Sequence, residues 1–156
     1  MPRRGALDRL AVLIATGFGV GYAPLAPGTV ASVVTVIFLG LVPFSRAGLV
    51  IFLVLVVVVG TWAAHVAERV IGGKDPGAIV IDEVAGMTLS VVAFPLTSEV
   101  LAVGLALFRV FDVLKPPPAR ESQRIRGGIG VMIDDLIAGL YALAIIALGR
   151  SLIGWP

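Results

Sequence analysis

The sequence predicts an all-α fold, a multi-helical integral membrane protein with about five or six apolar helices in a single domain over residues 1–156. The composition leads to this prediction. The chain is 58% hydrophobic and 14% charged, and its mean hydropathy of +1.06 lies far above the average of soluble domains. A lone strand in a bilayer would leave its backbone groups unpaired, so we expect the apolar segments to be helices.

Apolar runs and chain breakers place the helices in order, at approximately 9–20, 30–42, 47–70, 83–95, 99–115 and 131–149. Prolines and glycines mark the turns, as at Pro27-Gly28 and Pro116–Pro118. Only the third and the last segment reach the roughly 20 residues that comfortably span a bilayer. The first segment is too short to predict a span.

The order of the segments also predicts a topology. If the last five all cross, the connections 21–29, 71–82 and 115–130 lie on one face of the membrane, and the turns 43–47 and 95–99 lie on the other. The first face would carry most of the basic residues, namely Arg69, Lys74, Lys115, Arg120, Arg124 and Arg126. Because basic residues favour the cytoplasmic side, we expect the three connections to face the cytoplasm.

Acidic residues in and beside the apolar segments are the most informative feature of the sequence. Charge at membrane depth costs roughly 2.5–3.5 kcal/mol per residue on insertion scales. These acids therefore need a reason, and a site that binds a divalent cation and a phosphate is the best one. The candidate metal ligands are Asp82, Glu83, Asp112, Asp134 and Asp135.

Each acidic patch also has a simpler structural interpretation. Asp82 and Glu83 could form a solvated helix entrance, and Asp134 and Asp135 could complement the dipole at a helix start. Asp75, which precedes a proline, would make a good helix N-cap. Against the first two interpretations, apolar neighbours limit the access of water, and adjacent carboxylates repel each other unless a cation or solvent separates them.

Small residues recur four positions after the acids. Gly86 follows Asp82 and Gly139 follows Asp135 at this spacing. Glycine lets another helix approach closely, so we expect tight helix packing next to the acids.

Two basic residues accompany the acids on one helix face. Arg109, Asp112 and Lys115 are spaced by three. Arg109 could simply pair with Asp112, and Lys115 could snorkel to the interface. Alternatively, Arg109 and Lys115 hold phosphate oxygens, a task suited to a guanidinium fork and a point charge.

Thr29 and His65 are weaker candidates. Thr29 is a natural N-cap for the second helix, whose N–H groups could also bind an anion. His65 is the single histidine. It is expected near the cytoplasmic end of the longest helix, either as a structural residue or as a proton-transfer group.

These motifs together resemble one known family, the bacterial phosphatidylglycerophosphatase A family. The similarity runs from about residue 17 to 140, with four motifs in the family's order. The motifs are APGTVAS (26–32), DPGAIVIDEVAGM (75–87), FRVFDVLKPPP (108–118) and GGIGVMIDDLIAG (127–139). The segment RIRGG (124–128) departs from the family's pattern at Arg126, where a small or imidazole side chain is expected.

The resemblance implies a Mg²⁺-dependent membrane phosphatase that hydrolyses phosphatidylglycerophosphate to phosphatidylglycerol and inorganic phosphate. We then expect the five acids to bind one or two Mg²⁺ ions. The substrate phosphate would contact Arg109, Lys115 and Thr29. The expected location is the bacterial inner membrane, with a multi-pass chain and a cytoplasmic active site. The catalytic acids would be Asp82, Glu83, Asp134 and Asp135.

Other interpretations stay open. Either a water molecule or an aspartate could attack phosphorus. A small cation channel or transporter would also place acids in a membrane. Its acids should lie at mid-membrane, whereas these are expected near one face. A CDP-alcohol phosphatidyltransferase is disfavoured because its DGxxAR…GxxxDxxxD array is absent.

Overall fold

The computed structural model of the chain describes residues 5–122 and 124–155, which form seven α-helices and no strand. The all-α prediction is therefore confirmed for these residues, and each predicted apolar segment overlaps a helix. The short α6 lies within the predicted connection 115–130 and was not expected. The helices are α1 (Ala6–Ala15), α2 (Pro27–Leu41), α3 (Arg46–Ile71), α4 (Ile81–Val91), α5 (Ser98–Leu114), α6 (Ala119–Ser122) and α7 (Gly128–Ile153).

Two helices are long and apolar enough to cross a membrane. These are α3 and α7, each of 26 residues. They are the two segments for which the sequence predicted a full span. Apolar side chains such as Ile51, Val58 and Leu148 are exposed on their surfaces, which indicates association with a membrane.

The end of the first helix and the start of the second differ from the sequence prediction. The first helix ends at Ala15 rather than near residue 20, because Gly17, Phe18 and Gly19 all have positive φ. The second begins at Pro27 with Ala26 as its N-cap, so the expectation that Thr29 caps it is wrong. Proline fits the first helical position well because it has no N–H to satisfy there.

Asp75 does not begin a helix, and its predicted N-cap role is wrong. α4 starts six residues later, at Ile81. Asp75 has φ +47° and lies in the connection after α3. Val80, the residue before α4, donates its N–H to the carbonyl oxygen of Ala15 at 2.9 Å. This bond fixes the entry to α4 against the end of α1.

α4 and α7 cross at close range. A Cβ added at Gly86 would lie 2.6 Å from the carbonyl oxygen of Asp135, and one added at Gly139 would collide with the carbonyl oxygen of Gly86. Only glycine fits at these positions. The predicted tight packing after each acid is confirmed, and it brings Asp82 and Asp135 to the same depth in the bundle.

The apolar core is divided between two ends of the bundle, with α4 and α7 contributing to both. One group packs α1 and α3 around Ile81 and Met132, and the other packs α2 and α5 around Met87 and Phe108. Most residues of α4 are buried. The short α4 is thus the central element around which the longer helices pack.

The connections between helices gather at two opposite ends of the bundle. At one end, a cavity is lined by residues from the connections before α2, before α4 and after α5. At the other end, the two short turns meet, and the Arg46 guanidinium donates to the carbonyl oxygen of Ala93 at 2.8 Å. A second cavity, lined by Pro43 and Pro95 among others, lies there.

Candidate phosphate and metal site

All five predicted acids line one cavity of about 290 Å³. It lies at the end of the bundle where the long connections meet. Arg109 and Lys115 also line it, so the structure brings together seven of the eight residues predicted for the site. The remaining lining residues are Ala26, Pro27, Gly28, Asp75, Gly77 and Ile79.

Three of the acids form a compact cluster that could hold a metal ion. One carboxylate oxygen each from Asp82, Glu83 and Asp135 lies within 4.8 Å of the others. Asp82 and Glu83 stand in the first turn of α4, and Asp135 stands in α7 beside the glycine crossing. The side chains of Asp82 and Asp135 are buried, with 7% and 3% of each residue exposed.

The burial of this cluster is costly unless something binds to it. Among the described residues, Asp82 Oδ1, Glu83 Oε2 and Asp135 Oδ2 are buried and have no hydrogen-bond partner. A buried carboxylate without a partner is strongly disfavoured. Hard divalent cations prefer carboxylate oxygens, so the donor set fits a magnesium-type ion.

The other two acids pair with the two cations. Arg109 forms a close ion pair with Asp112, as the simpler interpretation of the sequence expected. Lys115 does not snorkel away from the acids. Its Nζ lies 2.5 Å from Asp134 Oδ2, 3.3 Å from Asp112 Oδ1 and 3.8 Å from Asp135 Oδ1.

The backbone at Lys115 explains how its ammonium group reaches this position. Lys115 ends α5 with φ +44°, which turns the chain away from the helix axis. Burial alone would lower the pKa of Lys115, but the hydrogen bond to Asp134 and the charges of Asp134, Asp135 and Asp112 outweigh it and raise the pKa. The ammonium group therefore stays charged at physiological pH.

The N-terminus of α2 forms another wall of the cavity. A Cβ added at Gly28 would collide with the Glu83 carboxylate and lie 3.4 Å from Arg109 Nη1. No side chain caps this end of α2, so its first N–H groups have no intrahelical partner. A helix N-terminus without a cap adds favourable potential for an anion.

Two predicted candidates lie apart from the cavity. Thr29 is exposed on α2 and is absent from the cavity lining, where Gly28 and Ala26 stand instead. His65 is exposed on α3, and its Nδ1 would lie 2.7 Å from a Cβ added at Gly127. The position of His65 is that of a packing residue at the start of α7, because the backbone of Gly127 leaves room for its ring.

Asp75 is the residue that sequence reasoning did not include in the site. It is exposed at the rim of the cavity, and its backbone N–H donates to Glu68 Oε1 at 2.9 Å. Although the residue as a whole is exposed, its carboxyl group has lost part of its surrounding water, and this loss together with the charge of Asp134 raises the pKa of Asp75. The sequence signal was the Gly72-Gly73 pair upstream, which favours a loop over a helix start.

The arrangement as a whole has a clear chemical class. A helical bundle holds buried, clustered carboxylates for a hard cation next to an arginine, a lysine and an open helix N-terminus for an anion. Such groups are suited to binding a hard cation together with a phosphate ester. A channel would place its acids along a path through the membrane, whereas these gather at one end of the bundle.

Sequence comparison identifies the family within this class. The sequence model of Phosphatidylglycerophosphatase A matches residues 13–150, and the chain belongs to this family. It is therefore a phosphatase acting on a phosphate monoester, a hydrolase of phospholipid metabolism. The resemblance of the four motifs is confirmed.

Curated relatives agree with the family and add one different name. The chain is 36% identical to Phosphatidylglycerophosphatase A of Escherichia coli, covering 86% of this chain and 80% of the relative. It is 37% identical to the protein of the same name from Haemophilus influenzae, with 86% and 85% covered. It is also 40% identical to a "Putative phosphatidylinositol-3-phosphatase" of Bacteroides thetaiotaomicron, with 93% and 96% covered. No solved structure matches the chain.

The contact of Gly28 with Glu83 and Arg109 leads to a first prediction. The Gly28→Ala variant should lower kcat/KM by about a hundredfold, the scale for an ångström of misplacement near the chemistry, because the new methyl group displaces the Glu83 carboxylate. The measurement is phosphate release by purified protein in detergent. Gly40→Ala in the same helix is the control, since its Cβ meets only a flexible Leu101 methyl at 3.3 Å. Equal activity of both variants would contradict the prediction.

Proposed function

We propose that this protein is a Mg²⁺-dependent phosphatidylglycerophosphatase, a single membrane-embedded domain that releases inorganic phosphate and leaves phosphatidylglycerol in the bilayer. Family membership supports the reaction. The observation that carries the metal requirement is the buried cluster of Asp82, Glu83 and Asp135, whose oxygens lack partners.

The metal would be held chiefly by these three acids. Asp112 and Asp134 stand next to them and are available as further ligands when Arg109 and Lys115 turn towards substrate. Mg²⁺ usually takes a few carboxylates together with water and substrate phosphate. When bound, it would supply charge neutralisation of the phosphate and a lowered pKa for a nearby water.

The basic residues would bind the terminal phosphate. Arg109 offers a planar fork and Lys115 a point charge, and both reach the cavity from the end of α5. The open N-terminus of α2 adds N–H donors at Gly28 and Thr29. In this role Thr29 would act through its backbone, because its side chain faces solvent.

A carboxylate of α4 would accept the proton of the attacking water. Asp82 and Glu83 are the candidates for this base because both stand at the cavity wall in the first turn of the helix. Asp134 and Asp135 would complete the catalytic set by holding Lys115 and the metal ion. Proton acceptance by a positioned carboxylate typically contributes 10²–10⁴-fold in rate.

The choice of lipid rests on two of the three relatives and on the family. The relative from Bacteroides thetaiotaomicron is named for phosphatidylinositol-3-phosphate, so the assay that tests the proposal includes both lipids. Purified protein should release phosphate from phosphatidylglycerophosphate faster than from phosphatidylinositol-3-phosphate, and only with Mg²⁺ present. A reversed preference would make phosphatidylinositol-3-phosphate the substrate instead. Full activity in EDTA would show that the reaction does not require a metal ion.

Replacing the clustered acids tests the metal site directly. Asp82→Asn and Asp135→Asn keep the shape of the side chain but remove its charge, so both variants should lose turnover. Mg²⁺ should raise the Tm of the wild-type protein by mass action but not that of either variant. The control is Glu99→Gln, an exposed residue at the opposite end of the bundle. If both variants keep full activity, the cluster has another role.

A paired replacement separates phosphate binding by Arg109 from simple neutralisation of Asp112. Arg109→Ala should lower kcat/KM by a factor that corresponds to about 1.5–3 kcal/mol of lost transition-state stabilisation, the range for a hydrogen bond to a charged group. If Arg109 contacts the phosphate, Arg109→Ala/Asp112→Ala should be no more active than Arg109→Ala. Recovery of activity in the double variant would show that Arg109 serves only to balance Asp112.

We further infer that the protein lies in the bacterial inner membrane with the site on the cytoplasmic side. Basic residues near the site, including Lys74, Arg120, Arg124 and Arg126, outnumber those at the opposite end. The chain contains no cysteine, so single cysteines report sidedness cleanly.

Exposed positions at the two ends provide the sidedness test. In intact cells, a membrane-impermeant thiol reagent should leave Glu121→Cys unlabelled and should label Ser98→Cys, because these exposed residues lie at the site end and the opposite end. Opening the cells should make Glu121→Cys reactive. Labelling of Glu121→Cys from outside would reverse the topology.

A further inference from the structure

We propose that Asp75 recognises the alcohol part of the substrate by accepting a hydrogen bond from the hydroxyl next to the phosphate-bearing carbon. This inference rests on the proposed function and deepens it. It makes Asp75 a specificity-determining residue outside the metal cluster, for headgroups that carry such a hydroxyl.

The position of Asp75 separates it from the groups that would handle metal and phosphate. It lies at the rim of the site cavity and also lines a neighbouring cavity of about 260 Å³, together with Glu68, Lys74 and Ile125. Its carboxylate is not one of the three that cluster within 4.8 Å. A group between the two cavities is placed for the part of the lipid that follows the phosphate.

The chemistry of Asp75 also favours a hydroxyl over a phosphate. A carboxylate accepts hydrogen bonds and repels a phosphate dianion. Lys115, a cation that lines the same cavity, is already engaged by Asp134 at 2.5 Å. Within the described ranges, no hydrogen bond or ion pair is formed by the Asp75 carboxylate. An acceptor with spare capacity at the mouth of a phosphate site suits a ligand hydroxyl.

The connection that carries Asp75 is fixed in place. The Asp75 N–H donates to Glu68 Oε1 at 2.9 Å. Further along the connection, the Ile79 N–H donates to the carbonyl oxygen of Pro76 at 2.8 Å. The Val80 N–H donates to the carbonyl oxygen of Ala15. The left-handed backbone at Asp75, with φ +47°, is held by these bonds. Glu68 is thus the positioning residue for Asp75.

The test compares two lipids that differ by a single hydroxyl. One is phosphatidylglycerophosphate, and the other is its analogue with 1,3-propanediol in place of the headgroup glycerol. We expect the wild-type protein to prefer the natural lipid in kcat/KM by about tenfold to hundredfold, the range for a charged hydrogen bond. The analogue keeps the phosphate monoester and the chain length, so its hydrolysis measures phosphate release without the contact to the hydroxyl.

Two substitutions at Asp75 should remove this preference stepwise. Asp75→Asn keeps a neutral acceptor and tolerates positive φ, so it should retain part of the preference. Asp75→Gly removes the side chain without backbone strain and should bring the ratio of the two kcat/KM values to about one. The ratio of the two kcat/KM values is the readout, because loss of a charge near Asp134 acts on both substrates alike. Measurable hydrolysis of the analogue by both variants shows that they fold.

Glu68 provides the matched pair of controls for positioning. Glu68→Gln retains the oxygen that accepts from Asp75 and should keep the preference, whereas Glu68→Ala should reduce it. If Asp75→Gly lowers both substrates equally, or changes neither, the inference is wrong while the proposed function stands. If the wild-type protein hydrolyses neither lipid, the proposed function itself fails.

Discussion

The backbone contact between Gly86 and Gly139 is the constraint on which the site depends. Each glycine stands one helical turn after an acid, and neither position has room for a Cβ. Close approach at this point sets the separation of α4 and α7, and through it the separation of Asp82 and Asp135. Like charges in an apolar bundle would otherwise drive the two helices apart. Packing therefore imposes a proximity that electrostatics alone opposes.

The cost of that proximity explains the rest of the charge pattern. Lys115 lies among Asp112, Asp134 and Asp135, and Arg109 also pairs with Asp112 on its own helix. The two cations are held where they can exchange a carboxylate partner for a phosphate oxygen. Such an exchange brings the negative charge of the phosphate into the site, so the carboxylates that are released would need another cation. A site of this kind binds an anion without a buried cation ever being left alone, which a low-dielectric interior penalises heavily.

The sequence was sufficient to predict most of the side chains that gather in the candidate site cavity. Asp82, Glu83 and Asp135 stand in apolar runs, where burial of an acid demands a ligand, and glycines at a four-residue spacing indicated where helices approach. The sequence prediction was wrong about helix starts where two local rules compete. Thr29 is a good cap by type, yet Pro27 starts the helix earlier. For Asp75, the two glycines upstream and the bond to Glu68 outweigh the capping preference. The ion pairs of Lys115 depend on the turn after α5, which spacing within a helix does not predict.

The length of α2 has a consequence for the membrane itself. Its outer face exposes Val34, Ile37 and Leu41, yet its 15 residues extend only about 22 Å at 1.5 Å per residue. A bilayer core is about 30 Å thick, so in the proposed membrane-embedded arrangement lipids against this helix would meet a hydrophobic mismatch that local thinning would relieve. The helix begins at the rim of the site cavity. The surface of the membrane would dip at that point, and lipid phosphates would lie level with Arg109 and Lys115 without leaving the headgroup layer.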